Sequence, residues 1–423
     1  MGNIQDTPKE YITPNSIEEI IAIVKNAKKN QRKIRVVGSG HSWSKLVPSG
    51  DILLSLNRLT GIEKIDKKKQ EATVYGGTKI WALANVLFEH GWGMENFGDI
   101  NRQSIAGAIS TGTHGSGIEF GSLSTQVTGL EIITANGVLL ECSEEKNIQL
   151  FQAARVSLGL LGIIVKVKLR IVPAHRLKLV EQKSTLDHTL NHLEEHLQNR
   201  HFEFYWFPGT KFTYLKTMNT SNAPINNGGW KYKIETLFIE NYLLWLMCNL
   251  VKLFPSLANR ISSFSGKAVQ NGVFVNYNHL MLSTPRLVTF TDMEYAFPIA
   301  QFKTVIQEIE KTIHEENLKE HFPIVCRFVK GDDIYLSHAY NQDMAYISLH
   351  NYGKRNYPEY FNKLEQIFIK HNGRPHWGKF HSLKKNALKK RYPKWDDFME
   401  IRKQLDPDGI FVNDYLKKLL EIH

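Results

Sequence analysis

The sequence predicts an α+β protein built from two domains. The chain has 423 residues, of which 42% are apolar and 22% charged, a globular composition. A chain of this length exceeds the size to which one hydrophobic core usually grows. Its first part alternates helical and strand-like patterns, whereas its middle part mixes helices with strands of the antiparallel type. We therefore expect a first domain at residues 1–173, a second at 174–374, and a C-terminal segment at 375–423 that returns to their interface.

Helices and short strands alternate at the start of the first domain. Apolar residues recur at helical spacing in Ile17–Lys29 and in Lys79–His90, and the second of these helices should end at Gly91. Ile34–Val37 and Thr73–Tyr75 are short apolar runs, as expected for buried strands.

A hairpin and a long strand should complete the first domain. Ala135-Asn136-Gly137 separates the alternating runs Leu130–Thr134 and Val138–Cys142, and Asn-Gly at that position is a strong hairpin signal. Ile163–Val172 alternates apolar and basic side chains, as expected for a half-exposed strand, and Pro173 should end it. We place the first domain boundary at this proline.

Weaker signals mark the rest of the chain. Asn219–Gly229 has the composition of a loop within the second domain. After Pro375 the sequence becomes basic and helical, and we expect helices at Phe398–Leu405 and Tyr415–Ile422 around a turn at Asp406–Gly409.

The formal net charge of +11 comes from 53 basic and 42 acidic residues. Such a charge favours anionic partners through long-range steering. The basic runs contain no interleaved aromatic residues and accompany no nucleic-acid motif, so we predict no nucleic-acid partner. They are either solvated faces or the contact of an anionic membrane surface or substrate. These runs are Lys25–Lys33, Lys67–Lys69 and Lys389–Arg391.

The cysteines and the first residues indicate a reducing, cytoplasmic location. Cys142, Cys248 and Cys326 are odd in number and far apart, which fits neither a disulfide framework nor paired zinc ligands, and we predict no metal site. The first ten residues lack the apolar segment of a secretory signal. Asp6 stands where N-myristoylation needs Ser or Thr.

One strongly apolar stretch, Phe238–Phe254, bears on membrane contact. Glu240, Asn241 and Lys252 interrupt it, so it falls short of the roughly 18 uncharged residues that a spanning helix needs. Two interpretations stay open. The stretch is either a buried helix of the second domain or a helix that makes peripheral contact with a membrane surface.

Two glycine-rich segments are suited to an extended polar ligand. In the first, the strand Ile34–Val37 continues into Gly38-Ser39-Gly40-His41-Ser42, whose glycines let the backbone approach a ligand and whose N–H groups can form an anion nest for a pyrophosphate. It does not match the G-x-G-x-x-G dinucleotide fingerprint. The second, Gly98–Gly121, combines glycines with hydroxyl side chains and almost no bulky residues. Taken alone, this second segment is equally typical of a flexible surface loop.

Together these segments resemble the vanillyl-alcohol-oxidase (PCMH) type of FAD-binding fold with an α+β substrate domain. Within it, the chain is similar to the aldonolactone (L-gulonolactone and D-arabinonolactone) and alditol oxidase group. The resemblance covers both predicted domains. The matching motifs are Val37–Ser42, Gln103–Gly107, Thr111–Ser116, Leu161–Ile164, Pro375–Lys379, and Leu405-Asp406-Pro407 with Gly409, Phe411, Asn413 and Tyr415-Leu416.

The resemblance implies that His41 is bonded through a ring nitrogen to the 8α carbon of FAD. The alternative is a loop histidine without a covalent bond. A covalent bond would hold the ring system in register and withdraw electrons from it, which favours hydride acceptance. The other residues that the resemblance assigns to FAD are Val37, Gly38, Ser39, Gly40, Ser42, Gly98, Asp99, Ser104, Gly107, Thr111, Gly112, Thr113, His114 and Ile164.

Gly98 bears on the electron acceptor. In the family that the chain resembles, glycine at this position leaves room for oxygen beside the flavin, whereas members with alanine tend to be dehydrogenases. The resemblance therefore implies an oxidase. The alternative is a glycine needed only for a turn.

On the substrate side, Arg327 and Lys379 match the catalytic cations of the family. Positioned cations stabilise the charge that develops during hydride transfer. The chain departs from the family where a glutamate precedes the arginine by two residues, because Val325 stands there. Glu294 would supply a carboxylate instead, or it belongs to a structural ion pair.

The implied reaction passes hydride from a small sugar-derived lactone or polyol to flavin N5, after which O2 accepts the electrons and yields H2O2. We favour a lactone because Trp230–Phe264 resembles the aromatic, apolar insertion of the lactone oxidases. Two alternatives stay open. One is a dehydrogenase of the same fold that reduces a quinone or cytochrome, and the other is a membrane-associated flavin-binding protein without turnover.

Overall fold

The computed structural model describes residues 4–228, 244–283, 289–352 and 359–422. Within these ranges the strands form four sheets. The strands before residue 174 are β1 (Glu10–Ile12), β2 (Ile34–Val37), β3 (Ile52–Ser55), β4 (Ile62–Asp66), β5 (Glu71–Tyr75), β6 (Trp92–Gly93), β7 (Val127–Ile133), β8 (Leu139–Ser143), β9 (Ile163–Arg170) and β10 (Val172–Pro173).

These strands form a parallel and an antiparallel sheet, with a short pair beside them. The parallel sheet has the order β1-β3-β2, and the antiparallel sheet has the order β4-β5-β9-β7-β8. The hairpin prediction is confirmed, since β7 and β8 pair around Gly137. Pro173 does not end the long strand as predicted. That strand ends at Arg170, and Pro173 pairs with Trp92 in the two-stranded sheet, where a missing N–H is tolerated at an edge.

Four helices accompany these sheets: Ile17–Lys29, Ile80–Glu89, Ile105–Ser110 and Ile148–Ala154. The first two confirm the helical spacing in the sequence. Helix Ile17–Lys29 begins at Ser16, whose hydroxyl accepts a hydrogen bond from the Glu19 N–H at 3.1 Å. Its apolar side packs into one core with the parallel sheet.

The largest sheet is antiparallel and has eight strands, which are β11 (Arg176–Thr185), β12 (His201–Trp206), β13 (Phe212–Thr220), β14 (Gly272–Tyr277), β15 (Phe290–Pro298), β16 (Ile324–Val329), β17 (Met344–Tyr352) and β18 (Arg374–Pro375). Their order in the sheet is β14-β11-β13-β12-β16-β17-β15-β18. The helices of this part are Leu186–Asn191, Leu193–Leu197, Leu244–Leu253, Ala258–Ala268, Asn278–Met281, Ile299–Glu315 and Glu359–Lys370. Ile299–Glu315 packs on Glu359–Lys370 and on β15 and β17.

The register of this sheet aligns its polar side chains in rows. Val325 of β16 pairs with Ser348 of β17, which pairs with Glu294 of β15. In the next row Arg327 pairs with Glu203 of β12. Because side chains alternate between the two faces of a strand, residues directly paired in this way lie on the same face.

The C-terminal segment contains helices Lys385–Lys389, Trp395–Leu405 and Asp414–Leu420. It contacts the parallel sheet, because the Ile34 N–H donates to the Ile410 carbonyl at 2.7 Å. The buried Arg35 guanidinium also donates to the Phe411 carbonyl, at 2.6 Å. These contacts bring the end of the chain to the first glycine-rich loop. The domain boundaries at residues 173 and 374 stay predictions.

The apolar stretch Phe238–Phe254 lies partly outside the described residues. Its described part is helix Leu244–Leu253, whose Trp245 is 53% exposed and whose Leu253 is 71% exposed, followed by Phe254 at 57%. The buried-helix interpretation is therefore wrong for these side chains. No helix in the described ranges is long and apolar enough to cross a membrane.

Candidate active site

The larger cavity lies between the two glycine-rich segments and has a volume of about 340 Å³. Strand β2 and the loop after it form one wall, and the N-terminal part of helix Ile105–Ser110 forms another. Ten of the residues that the sequence assigns to FAD line it. They are Val37, Gly38, Ser39, Gly40, His41, Ser42, Ser104, Gly107, Thr111 and Ile164.

The two glycine-rich segments approach each other so closely that only glycine fits. A Cβ at Gly38 would lie 2.5 Å from Ser104 Oγ, and one at Gly107 would lie 3.0 Å from the same atom. Gly40 has φ +66°, in the left-handed region that favours glycine, and turns the chain directly before His41. Where the two segments meet, the cavity wall is therefore formed by the backbone of Gly38 and Gly107.

The electrostatics of this cavity suit an anion. Arg35 lines it with a buried guanidinium that donates to the carbonyls of Leu46, Leu158, Gly159 and Phe411. Burial lowers the pKa of Arg35 to about 10, which leaves it charged at neutral pH. Lys79 Nζ donates to Ser39 Oγ at 2.9 Å. Glycine-lined backbone and these two cations fit the pyrophosphate of a dinucleotide such as FAD.

A smaller cavity of about 100 Å³ adjoins the larger one. The two share His41, Ser42, Gln103 and Thr111. Residues from both glycine-rich segments, from three strands of the largest sheet and from the C-terminal motif line the smaller cavity. Among them are Gly98, Asp99, Thr113, His114, Asp292, Glu294, Val325, Arg327, His350, His376 and Lys379.

The first glycine-rich loop and the C-terminal motif are hydrogen-bonded to each other. The Trp43 N–H donates to the Gly378 carbonyl at 2.7 Å, and Ser44 Oγ donates to the Trp377 carbonyl at 2.6 Å. Each contact spans more than three quarters of the chain. These bonds bring Lys379 and His41 to the lining of the same cavity.

Lys379 is the centre of a buried ion-pair cluster. Its Nζ lies 2.7 Å from Asp292 Oδ2 and 3.0 Å from Glu294 Oε2. Burial by itself lowers the pKa of Lys379, but the carboxylates of Asp292 and Glu294 outweigh it and raise the pKa above the ordinary value. Lys379 is therefore cationic throughout the neutral range.

Glu294 is fully engaged within the protein. Its Oε1 lies 3.0 Å from His114 Nε2, and its Oε2 accepts from Ser348 Oγ in addition to Lys379. Burial opposes its charge, yet Lys379 and His114 lower the pKa of Glu294 well below its usual range. Of the two interpretations of Glu294, these contacts favour the structural ion pair. The position that family members fill with glutamate is occupied by Val325, which lines the cavity without a charge.

Arg327 is held by carboxylates on two sides. Its Nε donates to Glu203 Oε2 at 2.6 Å, and its Nη2 lies 3.8 Å from Asp99 Oδ2. Burial alone lowers the pKa of Arg327, but Glu203, Tyr205 and Asp99 raise it well above the usual range. Arg327 and Lys379 thus present two permanent cations to the smaller cavity.

Two neutral histidines lie close to Glu294 and Lys379, and one of them, His376, lines the smaller cavity. The rings of His338 and His376 stack at 4.8 Å between centroids. Burial, and then the neighbouring His114, lowers the pKa of His338 to about 3, and burial with the neighbouring His338 lowers that of His376 well below its usual range. In the described ranges His114, Glu294 and His376 have ligand atoms within 4.8 Å of one another. Lys379, Ser348 and His114 already bind Glu294, so we assign no metal to this cluster.

His41 lies where the two cavities meet. Burial, with a smaller contribution from Lys79, lowers the pKa of His41 to about 4, so the ring is neutral at physiological pH. A neutral imidazole has a free nitrogen lone pair, which a covalent bond to carbon requires.

Gly112 differs from the other predicted FAD residues because it lines neither cavity. It has φ +72°, and a Cβ there would lie 2.8 Å from His338 Cε1. Sequence reasoning also missed Lys79, Arg35, Asp292 and Ser348. No motif marks these four, and only the position of Lys79 at the start of a predicted helix was a signal.

The FAD binding domain model matches residues 8–143, and the D-arabinono-1,4-lactone oxidase model matches residues 167–419. The chain belongs to the D-arabinono-1,4-lactone oxidase family. The predicted family and the predicted FAD-binding domain are thereby confirmed. As a member of this family, the protein is an FAD-dependent oxidoreductase.

Relatives of this family member cover nearly its whole length. It is 36% identical to L-gulono-1,4-lactone dehydrogenase of Mycobacterium tuberculosis, over 98% of this chain and 96% of that protein. It is 35% identical to L-gulonolactone oxidase of Scyliorhinus torazame, over 97% of this chain and 95% of that protein. The family therefore contains relatives of both the oxidase and the dehydrogenase kind.

Solved structures confirm the predicted fold class. A variant of cholesterol oxidase from Brevibacterium sterolicum superposes with a TM-score of 0.80 at 18% identity, over 97% of this chain and 94% of that chain. A solvent-stable cholesterol oxidase superposes with a TM-score of 0.81 at 16% identity and the same coverage. At these identities the likeness is one of fold.

Proposed function

We propose that this protein oxidises a small sugar lactone in the smaller cavity, with FAD in the larger cavity as the electron acceptor. The observation that carries the proposal is the junction of the two cavities, where His41 and Lys379 line one wall. The glycine-lined walls of the larger cavity would hold FAD, which would supply a hydride acceptor for the carbinol C–H of the substrate, while the hydroxyl proton would leave to water. Arg327 and Lys379 orient the substrate oxygens and stabilise the negative charge that develops on them.

A substrate screen tests this proposal. The holoprotein is supplied with L-gulono-1,4-lactone, D-arabinono-1,4-lactone and matched polyols, and turnover is followed both as H2O2 formation in air and as reduction of a dye. Lactones should be oxidised faster than polyols. Peroxide at a rate similar to dye reduction identifies an oxidase, whereas dye reduction without peroxide identifies the dehydrogenase. Failure of all these substrates in both assays contradicts the proposal.

We propose O2 as the acceptor, and Gly98 supports it. Gly98 lines the smaller cavity, and its φ lies outside the left-handed range, so backbone conformation alone does not require glycine there. A Cβ would lie 3.1 Å from both the His114 carbonyl oxygen and Thr113 Cγ2. An alanine would therefore push the Thr113–His114 backbone, which lines the same cavity.

Gly98→Ala should slow the reaction with O2 more than the reaction with lactone. We expect reoxidation of the reduced protein to fall roughly tenfold, which corresponds to about 1.4 kcal/mol of added activation free energy. Anaerobic reduction by lactone should change by less than about threefold, since Arg327 and Lys379 are untouched. Stopped-flow mixing with O2 and with lactone measures the two rates separately. Equal slowing of both would contradict a role for Gly98 in oxygen access.

The covalent bond through His41 is part of the proposal. It is supported by the position of His41 in both cavities and by its neutral ring.

Peripheral membrane contact is proposed for the exposed apolar helices. Helices Leu244–Leu253 and Ala258–Ala268 contact each other. They and the residues between them expose large apolar side chains beside exposed basic ones, a combination that favours the interface of an anionic bilayer. The apolar residues are Trp245, Leu246, Leu250, Leu253, Phe254 and Phe264, and the basic residues are Lys252, Arg260 and Lys267.

The double variant Leu253→Ser and Phe254→Ser should reduce binding to phosphatidylserine vesicles by at least about tenfold, because each buried apolar side chain contributes about 1.5–3 kcal/mol. Co-sedimentation with vesicles measures the bound fraction. Ile148→Ser is the matched control, since Ile148 is 51% exposed on a different helix. Equal binding by wild type and the double variant would refute membrane contact at this surface.

A further inference from the structure

Asp292 has hydrogen-bonding capacity that the protein does not use. The residue is 3% exposed and lines the smaller cavity. Its Oδ2 lies 2.7 Å from Lys379 Nζ and 3.8 Å from His350 Nε2, whereas its Oδ1 is buried and has no hydrogen-bond partner. The terminal torsion of aspartate is two-fold, so either oxygen can face Lys379 while the other is left without a donor. A buried acceptor without a donor is costly, and a donor from a ligand in the cavity would remove that cost.

Asp292 also adds to the negative charge around the cavity. Three carboxylates line the cavity, those of Asp99, Asp292 and Glu294, against the two permanent cations Arg327 and Lys379. A fourth carboxylate, from Glu203, binds Arg327 behind the wall. His114 and His350 add positive charge only when protonated.

Glu294 already lies 3.0 Å from Lys379 Nζ. The second carboxylate on Lys379, that of Asp292, adds negative charge among buried side chains, where a carboxylate oxygen without a partner is costly unless a ligand donates to it. The local charge opposes the formal net charge of +11 for the whole chain, which by itself favours anionic ligands.

We infer that Asp292 accepts a hydrogen bond from a hydroxyl of the substrate and makes the cavity select the neutral lactone over its ring-opened aldonate. The inference rests on the proposed function. A lactone offers hydroxyl donors and no charge. Its hydrolysis product carries a carboxylate, which the buried carboxylate of Asp292 repels.

The test compares wild type with Asp292→Asn, which keeps the shape of the side chain and removes its charge. L-gulonate is measured as a competitive inhibitor of L-gulono-1,4-lactone turnover at neutral pH. The inhibition constant of the aldonate should fall by at least about tenfold in the variant. The kcat/KM for the lactone should fall roughly 10- to 100-fold, because a charge-assisted hydrogen bond is lost. A purely structural defect would weaken the binding of both the lactone and the aldonate. Tighter aldonate binding therefore shows that the charge of Asp292 repels the aldonate.

Two further variants keep the test decisive. Asp332→Asn removes a half-buried carboxylate outside both cavities and should leave the aldonate constant unchanged. Asp292→Ser replaces Asp292→Asn if the latter does not fold, as judged by flavin content and thermal unfolding. Unchanged or weaker aldonate binding in a folded Asp292 variant overturns the inference. If no lactone reduces the wild-type flavin, the proposed function fails instead, and perturbation of the flavin absorbance by the aldonate still decides the role of Asp292.

Discussion

Replacing His41 by alanine should remove all covalently bound flavin from the protein. Wild-type chains should carry flavin fluorescence through an acidified denaturing gel, and His41→Ala chains should carry none. The folded variant should still bind FAD, because the glycine-lined walls and the cations Arg35 and Lys79 are unchanged. Burial keeps the His41 ring neutral, so a ring nitrogen with a free lone pair is available at the junction of the two cavities. Alanine offers no such nitrogen.

His188→Ala is the matched control for the gel experiment, since His188 lies on a helix outside both cavities. It should retain the fluorescent band. A wild-type band without fluorescence would show that the flavin is not covalently bound. Fluorescence that persists in His41→Ala would assign the bond to another residue.

Replacing Lys379 by methionine should lower kcat by roughly 10²- to 10³-fold, the usual effect of removing one preorganised charge from an active site. The lysine is cationic throughout the neutral range because Asp292 and Glu294 raise its pKa. Methionine keeps most of the side-chain volume and removes the charge. Single-turnover reduction of the flavin by lactone under anaerobic conditions measures the effect without interference from O2.

Lys379→Met also leaves two buried carboxylates without their cation, which costs about 3–5 kcal/mol of folding free energy. Lys379→Arg restores the charge and should recover most of the stability and part of the rate. Thermal unfolding and flavin content show whether each variant is folded. A folded Lys379→Met protein that reduces its flavin within about threefold of the wild-type rate would exclude a role for this charge in hydride transfer.

The parts of the site that lie on contiguous sequence were predictable. The loop Gly38–Ser42 is predictable because it contains glycines that a packed core would not use. The structure shows why Gly38 is needed, since a Cβ there would collide with Ser104. His41 and Lys379 lie in sequence motifs, whereas Arg327 is assigned through the family resemblance, and the structure brings all three to one cavity. The hairpin around Gly137 followed from local turn chemistry.

The parts that depend on strand register were not predictable. Asp292 is a single aspartate in a mostly apolar strand, and it reaches the cavity because β15 pairs with β17 in one particular register. Arg35 was assigned to an ordinary strand, yet its guanidinium is buried among four carbonyl groups, one of which belongs to Phe411 in the C-terminal segment. Contacts across such sequence distances leave no local pattern.

The exposure of helix Leu244–Leu253 could not be read from its composition either. An apolar run predicts burial, but it does not distinguish a protein core from a lipid interface. Cys248 is fully buried on this helix, whereas Trp245 and Leu253 are exposed. The distribution of these side chains, rather than their number, supports the proposed contact with a membrane surface.

We propose that one pair of adjoining cavities holds FAD and presents it to a sugar lactone. Anaerobic addition of L-gulono-1,4-lactone and D-arabinono-1,4-lactone to the purified holoprotein tests this proposal, with the flavin absorbance as the signal. At least one of the two lactones should bleach the oxidised flavin in a single turnover. A flavin spectrum that stays oxidised with both lactones, in protein that dithionite readily reduces, would contradict it.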